Sequence, residues 1–438
     1  MNVEGEEIFL VPYPESEERI IVYVPRRSYV ALISKELESA LKESEPSPIA
    51  AAFLGHIQKR PSIPIEEILT ESRHANPILS VALTNDCNLR CRYCYACAGD
   101  THRQSFMSKE MIDSLLVAYF KQLALPADQS EKTRTIEIKI MGGGEPTFAF
   151  NQLEFLVDRA SQLAAQNRCK CIFSMPTNGI YGDKVRKYLA THIQSISLSF
   201  DGAAHIQNLH RPLRNGGASF PIVFETAKYF HSVGASFALR ATVSDYSLPF
   251  VNETVSFFTE HFPKVSISLE PLSPVGRALT DPTVKPPNER AMADALVDVL
   301  RTAPQNGQNI HNSASSEYDI LRPVFCTSVA IPNWTVLVDG RIYCCDRENA
   351  PDEFLLGSFD FKEQKFVIDT AKVDAIRRMN VFNYPECADC FCKYHCAGDC
   401  PDRRLTHKSD CEAIRRVGLH VLESKIQNKK EIAQNALN

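Results

Sequence analysis

Residues 84–97 read TNDCNLRCRYCYAC, and they place Cys87, Cys91 and Cys94 in a C-x3-C-x2-C spacing directly after the apolar run Ile78–Leu83. Thiolate sulfur is a soft ligand that selects iron–sulfur clusters, zinc or Cu(I). A [4Fe–4S] cube takes four cysteine ligands, so a compact trio leaves one iron open to something else. The competing reading is a zinc knuckle with Cys97 as fourth ligand. Structural zinc sites, however, usually pair one C-x2-C with a second, distant pair.

The stretches around this loop alternate between strand and helix. Strands are expected at Ile78–Leu83, Thr135–Met141, Cys171–Met175, Ile196–Phe200, Phe237–Val243 and Val265–Leu269. Helical patterns fall between them near 108–125, 151–167, 182–191, 219–233 and 249–261. Such alternation indicates parallel βαβ units. In α/β barrels the chemistry sits on loops after the carboxyl ends of strands, and Cys87–Cys94 follows the first strand. Upstream, residues 1–75 read as a small α+β unit. It has strands at 8–11 and 20–24, a helical stretch at 28–43, and loops through Pro46, Pro48, Pro61 and Pro64. Residues 76–285 form the expected barrel, 286–320 a connector, and 321–438 a cysteine-rich domain ending in a helix at 411–434.

The chain has 438 residues, a formal net charge of −5 and 15 cysteines. That length supports two or three domains. No basic patch points to nucleic acid, and no apolar run reaches bilayer-spanning length. The start, MNVEGEEIF, is acidic and lacks the features of a signal peptide, so a cytoplasmic location is expected. Four cysteines cluster in 87–97 and nine in 326–411. In a reducing compartment such clustering argues for metal rather than disulfides. Cys169 and Cys171 read as small core residues.

The C-x3-C-x2-C loop, with aromatic Tyr93 before its third cysteine, resembles the signature of the radical S-adenosylmethionine (SAM) superfamily. The resemblance implies a partial (β/α)6 TIM-type barrel, in which SAM chelates the open iron and is cleaved to a 5′-deoxyadenosyl radical. Three further motifs follow strands of the expected barrel. Gly142-Gly143-Gly144-Glu145-Pro146 is similar to the family's GGEP run, which orients the SAM amino group. Thr177-Asn178-Gly179 is similar to TNG. Ser199-Phe200-Asp201-Gly202 is similar to S-x-D-G, with Ser199 a hydroxyl for the SAM ribose or carboxylate. Arg211 matches an arginine placed on the SAM carboxylate, a pairing suited to a guanidinium, and Arg240 is a second candidate; a surface-loop role is the alternative for Arg211. Glu270 faces the same cavity or forms a structural salt bridge.

Downstream, Cys326 is followed by thirteen residues, Gly340, four residues and Cys345; then come Cys387-x2-Cys390-x5-Cys396-x3-Cys400 and Cys411. This spacing resembles the seven-cysteine SPASM pattern. Paired structural zinc sites are the alternative. The resemblance implies one auxiliary [4Fe–4S] cluster on Cys387, Cys390, Cys396 and Cys411 and another on Cys326, Cys345 and Cys400, hence three clusters in all. Sulfatase-maturing members carry a further ligand six residues before the first SPASM cysteine, where this chain has Ile320. Cys344, Cys392 or an open iron site could complete the second auxiliary set. Asp346 matches the proposed general base of those maturases, against the alternative of a turn cap. Together these features imply a maturase that crosslinks a ribosomally made peptide, with formylglycine formation as the alternative. A flavodoxin- or ferredoxin-type electron donor is expected, and no nucleic acid or membrane partner. A multi-cluster electron carrier is the reading from another class, but a carrier needs no SAM pocket. Residues 1–75 could bind a leader peptide as an added strand, or cap the barrel.

Overall fold

The computed structural model describes every residue except 1, 4, 44, 46, 72–77, 101–104, 124–133, 303–308, 314–317, 319, 331–332, 348–349, 407–409 and 436–438. Pro46, the end of the helix expected at 108–125, and parts of the expected connector 286–320 lie outside the described residues. The chain forms two compact units. One comprises Met1–Ala75, Ser313–Ala330 and Arg378–Asn438; the other comprises Asn76–Asn312 and Ile331–Arg377.

In the first unit, β1 (Asn2–Val3) and β2 (Glu6–Glu7) form a short antiparallel pair. Next, β3 (Phe9–Pro12), β4 (Arg19–Val24) and β5 (Tyr29–Ser34) form an antiparallel sheet in that order. Strand side chains alternate between faces, so the unbroken apolar run Ile20–Val24 supplies two cores. Ile20, Val22 and Val24 pack with Ile33, Leu41 and Ile57. On the other face Ile21 and Tyr23 pack with Phe9, Val11, Leu422 and Ile426.

The helix expected from residue 28 is corrected. Ser28 turns the chain at φ 47°, 29–34 pairs with β4, and the helix runs only over Lys35–Lys42. Ser34 caps it, its side-chain oxygen accepting from the Leu37 N–H at 3.3 Å. The prolines also misled: helices Pro48–Gln58 and Ile65–Glu71 occupy the stretch read as loop. Pro48 stands at the start of its helix, where its missing N–H costs nothing, and Ser47 caps it through the Ala50 N–H.

The second unit is α/β. β6 (Ile78–Ala82), β7 (Thr135–Met141), β8 (Lys170–Thr177), β9 (Ser195–Ser199), β10 (Phe237–Val243) and β11 (Ile267–Pro271) are parallel and adjacent in sequence order. Helices Lys109–Leu123, Phe150–Gln166, Asp183–His192, Phe220–Ser232 and Val251–His261 connect them, with an unanticipated helix at Ala204–His210. β12 (Ile310–His311) adds in parallel to β11. At the other side β13 (Trp334–Val336) adds in parallel to β6, followed by the antiparallel strands β14 (Arg341–Tyr343), β15 (Leu355–Asp360) and β16 (Lys365–Ile368). β7 shows the packing logic. Ile136, Ile138 and Ile140 are fully buried, while Glu137 and Lys139 on the opposite face are half-buried.

Phe200, just past β9, is fully buried among Phe220, Phe257, Phe258 and Phe262. Truncating a buried phenylalanine costs about 3–5 kcal/mol. Phe200→Ala should therefore lower the unfolding free energy by an amount in that range, whereas truncating exposed Val233 should leave it nearly unchanged. Equal effects of the two substitutions in urea titrations would contradict this core assignment.

Candidate functional site

The Cys87–Cys94 loop has no helix or strand of its own, and it is held by its neighbours. It lies antiparallel to residues 210–214. The Arg90 N–H donates to the Pro212 carbonyl at 2.9 Å, the Arg92 N–H to His210 at 2.9 Å, and the Arg214 N–H to Asn88 at 2.9 Å. The Arg90 guanidinium donates to the carbonyls of Cys87, Leu89 and Gly99. Arg277 donates to the carbonyls of Cys91 and Ala98 and pairs with Asp100 at 2.7 Å. The preceding Gly276 has φ +56°, and a Cβ there would collide with the Cys94 and Tyr95 carbonyls. Arg277 carried no sequence signal, because its value arises only when distant segments meet.

The thiols carry specific donors. The Leu89 N–H points at the Cys87 sulfur at 3.4 Å, the Ala98 N–H at the Cys94 sulfur at 3.4 Å, and the Asn178 amide at Cys87 at 3.6 Å. Burial pushes the Cys91 thiol up to about 12, against the opposing pull of Arg211. Burial first, and then the Cys91 charge, also raise Cys87. Metal binding must displace these protons, so loading is pH-dependent. Among the described residues no three Cys, His, Asp or Glu side chains stand grouped as for a single metal ion. A four-iron cube holds its thiolates on separate irons, farther apart than the ligands of one ion. Three soft donors on one braced loop, with N–H groups aimed at the Cys87 and Cys94 sulfurs, fit such a cube.

Two buried carboxylates tie this loop to the strand ends. Glu145 Oε1 accepts from the Thr147 N–H and hydroxyl and from the Thr177 hydroxyl at 2.8 Å, and its Oε2 accepts from the Asn178 N–H at 2.7 Å. Burial raises its carboxyl, and these donors oppose the rise. The glycines before it are needed for backbone approach to the loop: a Cβ on Gly142 would lie 2.8 Å from the Thr84 carbonyl oxygen, and one on Gly144 would collide with Asp86. Gly143 lies between them, and Pro146 opens a buried 3₁₀ turn.

Asp201 is the second carboxylate. Its Oδ2 accepts from the Tyr93 hydroxyl, from His210 Nδ1 at 3.0 Å and from Arg211 Nε at 3.1 Å; its Oδ1 accepts from the Thr242 N–H at 3.0 Å. Burial alone would raise its carboxyl, but Arg211 and His210 outweigh burial and hold it well below the usual range. Arg211 lies over the Tyr93 ring at 5.1 Å. It is buried, not a surface-loop residue, and among the described residues only its Nε carries a hydrogen bond. Asp201 and His210 were not singled out from the sequence, although Asp201 lies inside the S-x-D-G run.

Ser199 and Arg240 are register partners on β9 and β10, next to Ser268 on β11. Arg240 is exposed, and among the described residues its side chain carries no hydrogen bond or ion pair. The Ser268 hydroxyl donates to Glu270 at 3.2 Å. Asp346 forms an ion pair with Lys139 and accepts from the Ser80 hydroxyl at 3.2 Å and the Thr335 hydroxyl at 3.1 Å. Lys139 was missed because its strand reads only as an alternating apolar pattern.

In the first unit, Cys387, Cys390, Cys396 and Cys411 line one cleft of ≈ 480 Å³, its solvent-open part included, with Arg404 and Arg415 beside them. Four thiols around one cleft fit a fully ligated cluster. Cys326 and Cys400 also belong to the first unit, whereas Cys345 belongs to the second.

A family model for the radical SAM superfamily matches residues 81–244. An uncharacterized protein of Methanocaldococcus jannaschii is 27% identical over 198 residues, 45% of this chain. That match spans 63% of the relative's own length. The cysteine-type anaerobic sulfatase-maturating enzyme of Clostridium perfringens is 24% identical over 333 residues, 72% of this chain and 86% of that one. Among solved structures, anSMEcpe with bound AdoMet superposes with a TM-score of 0.61 at 19% identity, covering 81% of this chain and 99% of that one. Streptococcus suis SuiB superposes with a TM-score of 0.51 at 16% identity, covering 93% and 97%. These likenesses establish a shared fold.

Replacing Asp201 with Asn leaves the Arg211 guanidinium buried without its counter-charge, a defect of about 3–5 kcal/mol. A folded carboxyl held low stabilises above its unfolded value, about 3.9, and that contribution is lost as pH falls below it. Wild type should therefore lose more stability than Asp201→Asn between pH 6 and pH 3. Parallel losses in urea titrations at the two pH values would refute the pairing.

Proposed function

Because residues 81–244 match the radical SAM superfamily, we propose that this chain is an enzyme that modifies a side chain of a peptide or protein, as a radical SAM–SPASM maturase. The observation that carries the reading is the three-thiol loop braced at the carboxyl ends of parallel strands, beside the glycine turn at 142–144 and the Asp201–Arg211 pair. Cys87, Cys91 and Cys94 would hold a [4Fe–4S] cluster, which together with SAM would supply radical hydrogen-abstraction chemistry. Tyr93 and Asp201 fix Arg211 beside it, so that the arginine's terminal nitrogens serve the SAM carboxylate. Gly143 and Gly144 present backbone to the SAM amino group, while Glu145 and Pro146 keep that turn in shape. Ser199 and Arg240 line the same interior as polar contacts for SAM or substrate.

Two auxiliary clusters are part of the proposal. The cleft at Cys387, Cys390, Cys396 and Cys411 supports one, and the seven-cysteine sequence spacing supports the other. Asp346 takes the proton that leaves the substrate after hydrogen abstraction, and Lys139, Ser80 and Thr335 hold its carboxylate in place. The β3-β4-β5 sheet is packed on both faces, so a leader peptide would add at a strand edge. Crosslinking of a ribosomally made peptide is the product reading; SuiB, which shares the fold, has been solved bound to the precursor peptide SuiA. Formylglycine formation is the second reading, favoured by the 333-residue match to the Clostridium perfringens sulfatase-maturating enzyme.

Anaerobically reconstituted protein given dithionite and SAM should release 5′-deoxyadenosine, and the triple variant Cys87→Ala, Cys91→Ala, Cys94→Ala should release none. Detectable release from the triple variant, or none from wild type, would reject the assignment. Asp346→Asn should keep deoxyadenosine release within about tenfold of wild type while losing modified peptide, scored by mass spectrometry. Full product yield from that variant would remove Asp346 as the base.

A further inference from the structure

We propose that Arg240 selects an acidic residue of the substrate peptide, its guanidinium taking that residue's side-chain carboxylate with Ser199 and His311 as flanking donors. The inference rests on the peptide-modifying reading above, and it names the substrate chemistry that this part of the sheet fits.

Arg240 stands in the middle of β10, which pairs with β9 on one side and β11 on the other. By register it lies beside Ser199 and Ser268, and Ser268 lies beside His311 on β12. Leu198, Leu239, Ile267 and Leu269 are fully buried on one face. Alternation along each strand puts Ser199, Arg240 and Ser268 on the other. There Arg240 and His311 are exposed, and Ser199 and Ser268 are half-buried. Charged side chains commonly guard sheet edges, but Arg240 is not on an edge strand.

Nothing in the described chain neutralises this arginine. Among the described residues, the side chains of Ser199, Arg240 and His311 carry no hydrogen bond or ion pair. The carboxylates near the same face are engaged elsewhere. Asp346 pairs with Lys139, Glu137 accepts from the Ser174 hydroxyl, and Glu270 accepts from the Ser268 hydroxyl at 3.2 Å. Arg240 is thus left to an incoming anion, and its planar fork of N–H donors matches the two oxygens of a carboxylate.

SAM also brings a carboxylate, but Arg211 already serves it. Asp201, which holds Arg211, reaches β10 at the Thr242 N–H. That is two residues past Arg240, about 7 Å further along the strand. The Arg240 backbone therefore lies deeper along the sheet than the Asp201–Arg211 pair, and its guanidinium falls to a second carboxylate, that of the peptide.

The test uses full-length protein, anaerobically reconstituted with ferrous iron and sulfide. Saturation-transfer NMR titrations compare the capped peptides acetyl-Ala-Glu-Ala-amide, acetyl-Ala-Gln-Ala-amide and acetyl-Ala-Lys-Ala-amide, and a separate titration follows SAM. Wild type should bind the Glu peptide about tenfold more tightly than the Gln peptide, the margin of a charge-assisted pair. Arg240→Gln should erase that margin, and Arg240→Glu should reverse it in favour of the Lys peptide. Arg240→Lys keeps the charge without the fork; it should retain part of the margin, and it serves as the second variant if another does not fold. Equal affinity of wild type for the Glu and Gln peptides, or a margin that survives in Arg240→Gln, overturns the proposal. A surviving margin together with SAM bound about tenfold more weakly would give the arginine to the SAM carboxylate instead. Failure of wild type to bind SAM at all would reject the radical SAM reading, while the peptide comparison would still decide the role of Arg240.

Discussion

A single buried carboxylate, Asp201, organises the site. It gathers Tyr93 from the cysteine loop, His210 and Arg211 from the segment antiparallel to that loop, and the Thr242 N–H from β10. A charge taken out of water is costly unless paired and hydrogen-bonded. Four donors, one of them the cationic Arg211, meet that cost here. The reward is positional. A loop with no ladder or helix of its own is fixed at both sides, by Asp201 through Tyr93 and by Arg277 through its carbonyls. His210 extends the network to Ser244 at 2.9 Å, so the pair is anchored beyond its own turn.

The parallel core was legible because short apolar strands alternate along the chain with amphipathic helices. Ile136, Ile138 and Ile140 mark β7 without ambiguity, and the six parallel strands fall close to where the pattern places them. The first unit was less legible, for two physical reasons. Tyr29-Val30-Ala31-Leu32-Ile33 is short and apolar, and periodicity alone does not separate strand from helix in such a run. Proline was read as a breaker at Pro48, where it instead starts a helix. Among site residues, motif membership exposed those on the cysteine loop and the glycine turn. Lys139, Asp201, His210 and Arg277 became visible only through tertiary contacts; the Arg277–Asp100 pair spans 177 positions.

The glycine turn has a structural basis beyond the ligand role that its motif implies. The resemblance assigns glycines 142–144 to a run that orients the SAM amino group. The structure gives a nearer reason at Gly142 and Gly144, since the turn lies against the backbone of residues 84–86. The Gly144 and Glu145 N–H groups donate to the Thr84 and Asp86 carbonyls at 3.1 and 2.9 Å. The Glu145 carboxylate is likewise engaged by the chain itself. It joins the ends of β7 and β8 through Thr177 and Asn178.

The interior face of the parallel sheet departs from the usual barrel filling of branched apolar side chains. By register, Ser80, Lys139, Ser174 and Ser195 form one row, and Ser199, Arg240 and Ser268 another. Ion pairs that are partly exposed contribute little to stability, and Lys139 and Asp346 each remain about one-third exposed. Stability therefore resides on the other face, where Leu79, Ile138, Leu198, Leu239 and Leu269 are fully buried. A fold that needed only to be stable would gain by filling the interior with such residues. The polar rows therefore add little to stability, and they set the chemistry of that face.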